Sequence, residues 1–292
     1  MKASTGYSLG RPDKSSDLKK DTLRTLARHR IFPKKRLGQN FVIDQSVFQA
    51  MINYADVGKD DIVLEVGTGL GFLTRLLSSK CKKVVTVEID TKLIPILQEH
   101  LKDLGNVELV EGDVLTTDIT VFDKVVSTPP YSISSPLLFW LFDRPFKLAV
   151  LAFQEEFARR LAAQVGSKDY SRLTVAIYYR ADVELLDLIA RDSFYPSPDV
   201  DSIMVRLKPK PPPFKVKDER LFFQLVQTVF TQRNKKLRNA IMPFLARHKM
   251  SKEQAQKLAD SLTFHDKRVR ELAPEDFGAL TNEILDKTNT LP

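Results

Sequence analysis

The sequence predicts an α/β fold, with a mostly parallel sheet in its larger part and a small all-helical part after it. Three observations predict it. Short apolar, β-branched runs lie at 63–66, 83–87, 107–110 and 124–126, and the helix-like stretch FLTRLL follows the first of them. Strands joined by helical crossovers pair in parallel. Each run ends in polar or glycine residues, as expected at the carboxyl edge of an open α/β sheet, where ligands bind. After the stretch KPKPPPF at 208–214, the spacing of apolar residues becomes helical.

The elements follow in order. Residues 1–36 hold eleven Lys and Arg against three Asp and Glu, an excess equal to the net charge of +8 of the whole chain. Apolar periodicity is weak here, so the arm is expected to be mobile at first and helical across 18–30. Three readings fit it. It is a polyanion-binding arm that gains affinity by releasing counterions, a solvated tail, or an organelle-targeting segment, against which Asp13, Asp17 and Asp21 argue.

The first strand runs into VLEVGTGLG at 63–71. Gly67, Gly69 and Gly71 allow positive φ and close approach of a ligand. The second strand ends in Glu88, Ile89 and Asp90, placing an acid about 20 residues on, where a ribose-binding carboxylate is expected. The third ends in Glu111, Gly112 and Asp113, and the fourth in Ser127-Thr128-Pro129-Pro130-Tyr131. Residues 200–207 read as a closing strand, and the prolines of 208–214 form a stiff linker. Helical spacing then covers 219–231, 234–248, 252–261 and 274–288. The expected domains are a basic extension at 1–30, an α/β domain at 31–208 and a helical domain at 209–292.

The glycine spacing separates two cofactor classes. A dinucleotide fold usually reads Gly-x-Gly-x-x-Gly; this chain reads Gly-x-Gly-x-Gly after Glu65. That pattern, with Glu88 and Gly112-Asp113, resembles a class I (Rossmann-like) S-adenosyl-L-methionine-dependent methyltransferase. In such a site Glu88 accepts from both ribose hydroxyls and Asp113 from the adenine amino group, giving orientation as well as affinity. The tetrapeptide Thr128-Pro129-Pro130-Tyr131 resembles that of amino methyltransferases acting on adenine. An exocyclic amine is a poor nucleophile, because its lone pair is delocalised into the ring. Acceptors aimed at its hydrogens, here the Thr128 side chain and the Pro130 carbonyl, favour the pyramidal, more nucleophilic nitrogen. Tyr131 would stack on the base, which such enzymes extrude from its stack.

Further motifs sharpen the resemblance. KRLGQNFV at 35–42, YSISSPL at 131–137, FQEEFARRL at 153–161, GSKDYSRL at 166–173, FYPSPDVDS at 194–202, FTQRNKKLRN at 230–239 and RVREL at 268–272 are similar to those of the KsgA-like small-subunit ribosomal RNA adenine N6,N6-dimethyltransferases. The resemblance runs from about 33 to about 285. It implies cofactor contacts from Gln39, Asn40, Val42, Ile89, Val114 and Thr128, beside the three glycines, Glu88 and Asp113. It also implies that Phe194 stacks on the flipped adenine opposite Tyr131. One departure stands out: the family usually has Asn at position 128 and Leu at 129. A threonine hydroxyl is a shorter arm than an amide, with one oxygen serving as donor and acceptor.

In the helical part, Arg233, Lys235, Lys236 and Arg238 form a basic run, read as phosphate contacts that position RNA without reading sequence. Arg159 and Arg160 are RNA-contact candidates, with plain surface as the alternative. The single cysteine, Cys81, excludes an internal disulfide framework, and with four scattered histidines no metal site is expected. No run approaches the length of a transmembrane helix. The resemblance thus implies a cytoplasmic, monomeric enzyme without membrane contact. It would dimethylate two adjacent adenines near the 3′ end of small-subunit ribosomal RNA, on that RNA or the pre-ribosomal small subunit, in ribosome biogenesis. Two other readings use the same fold: a catalytically weak ribosome-assembly factor, and a relative of mitochondrial transcription factors.

Overall fold

The computed structural model describes residues 15–119, 121–247 and 250–288. Residues 1–14 of the basic extension lie outside these, as does His248; the helix expected across 18–30 is found at Ser15–Arg28. The described residues divide into two compact units. One runs to Ala158 and includes Glu184–Pro209; the other joins Arg159–Val183 to the residues from Lys210 on.

Nine strands occur among the described residues: β1 (Phe41–Val42), β2 (Ile62–Val66), β3 (Lys83–Glu88), β4 (Val107–Glu111), β5 (Lys124–Ser127), β6 (Leu148–Gln154), β7 (Ala181–Ile189), β8 (Phe194–Tyr195) and β9 (Ser202–Pro209). Seven form one sheet in the order β4-β3-β2-β5-β6-β9-β7. From β4 to β6 every pairing is parallel, and β9 returns antiparallel to β6. The central strands are apolar along their length because helices cover both faces. Val63, Val84, Val126 and Val150 pack with Val47, Phe48, Met51 and Ile52 of the helix Gln45–Tyr54. A neighbouring cluster joins Leu70, Leu93, Ile96 and Leu97 with Leu26, Ile31 and Phe41.

This strand order places the candidate residues. From β2 the chain builds outward through β3 to β4, then returns to lay β5 on the other side of β2. The reversal opens a crevice at the carboxyl ends of β2 and β5, the ligand position of doubly wound sheets. The glycine turn follows β2 and the residue 128–131 turn follows β5. A hydrogen bond from Ser127 Oγ to the Val66 carbonyl, 2.6 Å long, ties the two strand ends.

The second unit is mainly helical, with the first residues of β7, and is not the continuous C-terminal stretch expected. The helix Arg172–Arg180 joins it because Tyr170, Val175 and Tyr179 share a core with Phe222, Leu225, Phe244, Phe277 and Leu280. The helix expected across 234–248 is also interrupted. Leu237–Ala240 and Met242–Arg247 are separate, since Pro243 lacks an N–H and opens a new helix. Helices Glu219–Val229 and Lys252–Ser261 are capped by Asp218 and Ser251. No helix among the described residues is long and apolar enough to cross a membrane.

Candidate active site

A cavity of about 290 Å³ opens at the crevice, and its walls come from four strand ends and from residues 36–42. Gln39, Asn40, Val42, Gly67, Gly69, Glu88, Ile89, Asp113, Val114, Thr128 and Pro130 all line it. Residues separated by up to 91 positions thus meet because their strands are neighbours.

The glycine turn is forced by its surroundings. Gly67 has φ +81°, and a Cβ there would stand 3.3 Å from Pro130 Cδ. Gly38, on the opposite wall, also has positive φ, with Pro130 Cβ 3.3 Å from a built Cβ. Pro130 is therefore gripped by two glycines. Gly71 does not line the cavity; it is the left-handed N-cap of the helix Phe72–Ser78, and Leu97 and Leu101 crowd its Cα.

Glu88 is buried, and each of its oxygens accepts one backbone N–H: Oε2 from Gly69 at 3.0 Å, Oε1 from Asp90 at 2.8 Å. These bonds fix the carboxylate and leave lone pairs on both oxygens for a vicinal diol. Burial raises its pKa against the pull of the two N–H groups. Asp113 accepts the Leu115 N–H on Oδ1 at 2.9 Å, and no described residue donates to its other oxygen. Two oriented acidic acceptors beside a turn of glycines match a ligand carrying a ribose diol and an amino-substituted base, so the residues present fit S-adenosylmethionine.

Two carboxylates to which the sequence analysis gave no role also shape the site. Glu65 is buried on the cavity wall, its Oε2 accepting from the hydroxyls of Thr74 at 2.6 Å and Thr86 at 2.8 Å. Burial outweighs both bonds and pushes its pKa up to about 8. Asp90 is buried too, and binds Lys34 Nζ at 2.6 Å and Gln39 Nε2 at 2.7 Å. Burial works against its charge, but the Lys34 ammonium and Gln39 amide hold its pKa below the ordinary range. Gln39 also accepts the Lys34 N–H at 2.8 Å. Its amide is thus spent on holding residues 34–42 over the sheet edge, and its place in the cavity wall follows from that. The acid at the second strand end was visible in the sequence; its partners, 51 and 56 residues away, were not.

The 128–131 turn differs in detail from expectation. The Thr128 hydroxyl makes no hydrogen bond to a described residue, and Thr128 lines the cavity. The Pro130 carbonyl already accepts the Ile133 N–H at 3.1 Å, whereas no described N–H donates to Pro129, the freer acceptor. Tyr131 is not on the cavity wall; its hydroxyl shares a 2.7 Å hydrogen bond with Ser202 Oγ, which orients the ring. Phe194 needs a correction. It is 3% exposed and packs in the core with Val42 and Phe48. The β1–β8 register sets Phe194 opposite Val42 and Tyr195 opposite Phe41, and side chains alternate along a strand, so Tyr195, 36% exposed, faces outward instead.

The basic run is also less free than it reads. Arg233 donates to the carbonyls of Lys168 at 2.9 Å and Ser167 at 2.8 Å. Lys236 and Arg238 share Asp266, at 2.8 and 3.1 Å. Lys235 alone of the four has no side-chain partner among the described residues. Arg159 and Arg160 lie on the helix Glu155–Leu161, where the Arg160 carbonyl accepts the Thr174 hydroxyl. No cluster of His, Cys, Asp and Glu able to hold a metal occurs among the described residues.

Residues 32–285 match the family model for ribosomal RNA adenine dimethylase. The protein named "Probable ribosomal RNA small subunit methyltransferase A" from Methanosarcina barkeri is 41% identical over 256 residues, covering 87% of this chain and 88% of that one. Its namesake from Methanosarcina acetivorans is 42% identical over 250 residues, covering 85% and 92%. Among solved structures, a dimethyladenosine transferase from Plasmodium falciparum superposes with a TM-score of 0.73 at 31% identity, over 86% of this chain and 98% of that one. The 23S rRNA methyltransferase ErmE gives 0.62 at 29% identity, over 84% and 99%.

Proposed function

The chain belongs to the ribosomal RNA adenine dimethylase family, and from that premise we propose that it dimethylates N6 of two adjacent adenines near the 3′ end of small-subunit ribosomal RNA. It is a class I methyltransferase that uses S-adenosylmethionine and dimethylates adenine in ribosomal RNA. The choice of the small subunit rests on relatives at 41–42% identity that carry that name, against 29% for a relative named for 23S RNA. The reading includes a cytoplasmic monomer as the working form.

The observation that carries the reading is the placement of Thr128-Pro129-Pro130-Tyr131. It lies at the carboxyl end of β5, across the crevice from the glycine turn. The cofactor supplies a methyl group made electrophilic by its sulfonium. Glu88 holds a ribose through its two oriented oxygens, and Asp113 takes the base amino group on its unpartnered oxygen. The Thr128 hydroxyl and a carbonyl of the proline pair accept the N–H groups of the target amine and turn its lone pair toward the cofactor. Tyr131, held through Ser202, braces the extruded base. No strong base is needed, since the ammonium formed at N6 loses its proton readily to water. Positioning and electrostatics then supply most of the rate.

Mass analysis of ribosomal RNA tests this. Unmethylated small subunits incubated with the protein and cofactor gain two N6,N6-dimethyladenosines next to each other. Absence of both, with cofactor binding intact, would favour the assembly-factor reading that Thr128 motivates.

A further inference from the structure

Phe32 is 81% exposed, the most exposed large apolar side chain among the described residues. Its segment is held, so this exposure is not that of a loose end. The helix Ser15–Arg28 closes in a Schellman turn: Arg30 takes φ +51°, Ile31 N donates to Leu26 O at 2.9 Å, and Arg30 N donates to Ala27 O at 3.2 Å. Ile31 and Leu26 then pack in one cluster. Two residues past Phe32, Lys34 is fastened to Asp90. With Ile31 turned inward and Lys34 anchored, the ring is displayed to water.

Its chain neighbours are basic. Arg30, Lys35 and Arg36 are exposed, and none forms an ion pair with a described residue. Arg36 is also on the wall of the cavity. The patch is therefore continuous with the mouth of the site described above. An aromatic face among unpaired cations suits an unstacked base with its flanking phosphates: the ring accepts any base face, and the cations release counterions. A purely apolar protein partner would leave three cations to desolvate without partners.

We propose that Phe32, with Arg30, Lys35 and Arg36, is a second nucleotide-binding platform, on which an unpaired base of the substrate RNA outside the catalytic cavity stacks. This rests on the RNA-methylating reading above. It adds to that reading a contact with a nucleotide that is not itself modified.

The test uses the full chain with unmethylated small subunits, a protein-free transcript of the RNA's 3′ region, and oligoadenylate. Phe32→Ala weakens RNA binding by roughly tenfold, the loss of one base–aromatic stack, and leaves cofactor affinity as it was. Phe32→Trp retains affinity, and the new indole is quenched as RNA binds, against the background of the single native tryptophan, Trp140, which is 8% exposed. Lys35→Ala lowers the slope of log affinity against log salt by about 0.7 per lost phosphate contact on single strands. If wild type methylates the particle while Phe32→Ala binds RNA as tightly and the Phe32→Trp emission does not move, the platform is wrong and the enzymatic reading stands. Quenching by the particle but by neither RNA assigns Phe32 to a ribosomal protein and overturns the proposal. Wild type that neither binds nor methylates RNA overturns both.

Discussion

At the scale of single residues, Glu88 and Thr128 divide binding from chemistry. Both Glu88 oxygens are oriented by backbone N–H groups, so Glu88→Gln turns an amide NH₂ against one of those donors and removes an acceptor from the diol. A hydrogen bond to a charged group contributes about 1.5–3 kcal/mol; cofactor affinity, measured by titration calorimetry, falls at least tenfold, and an unchanged affinity would remove Glu88 from the site. Thr128→Val keeps the side-chain shape and deletes one acceptor. Single-turnover methylation then slows by about tenfold, the value of one hydrogen bond in the transition state, with cofactor affinity intact. Thr128→Asn restores the longer amide arm and retains or raises the rate. If Thr128→Val matches wild type in both methylations, the proline carbonyls alone orient the amine. Residue identities of this kind were legible in the sequence, because glycines, acids and prolines at strand ends have few other uses. Orientation was not. Phe194 and Tyr195 are adjacent aromatics, and only the pairing of β8 with β1 decides which one faces the core. The competition for the Pro130 carbonyl likewise depends on how the chain turns at Ile133.

At the scale of elements, residues 34–42 form a wall that is held from outside itself. The Lys34–Asp90–Gln39 contacts fasten it to the end of β3. Asp90→Asn removes the charge partner of Lys34 and costs on the order of 1–3 kcal/mol of local stability. Amide exchange at 36–42 speeds up, and cofactor affinity drops although Asp90 itself is not on the cavity wall; unchanged exchange would show the wall to be held by packing alone. The basic run after Glu219–Val229 divides in a similar way. Arg233→Ala loses two hydrogen bonds to carbonyls and lowers stability. Lys235→Ala leaves stability alone and lowers the salt slope of RNA binding by about 0.7–0.9. If the two variants behave alike in both measurements, the four cations act as one diffuse patch. The strands β2 to β5, the closing strand β9 and the change to helices after residue 208 were visible in periodicity, which local sequence sets. The inclusion of residues 159–183 with the helical unit was not, because it follows from Tyr170, Val175 and Tyr179 finding partners beyond Lys210.

At the scale of the molecule, Glu65 makes folding itself depend on pH. Its carboxyl is buried against Thr74 and Thr86, and its pKa in the fold stands at about 8, up from 4.5. The sign follows from linkage. Between these values the folded chain keeps a proton that the unfolded chain has released, so acid favours the fold. The stabilisation is fully present below about 4.5 and is lost as pH rises through about 8. In that window the slope is close to −1.4 kcal/mol per pH unit, and the total change is a few kcal/mol. Glu65→Gln is nearly isosteric, carries no titratable proton and still accepts the threonine hydroxyls on its amide oxygen. Groups away from Glu65 titrate alike in both proteins and cancel in the comparison; Glu88, whose charge also raises the Glu65 pKa, is the coupled neighbour. Trp140, the single tryptophan, lies in the same unit as Glu65, so its fluorescence follows the unfolding of that unit in urea. From pH 5 to 8 wild type should lose stability relative to Glu65→Gln at about the linkage slope, and above pH 8 the gap should stop growing. Parallel curves across the whole range would mean that Glu65 is ionised in the fold already. The carboxylate would then stand as a charge on the cavity wall at neutral pH.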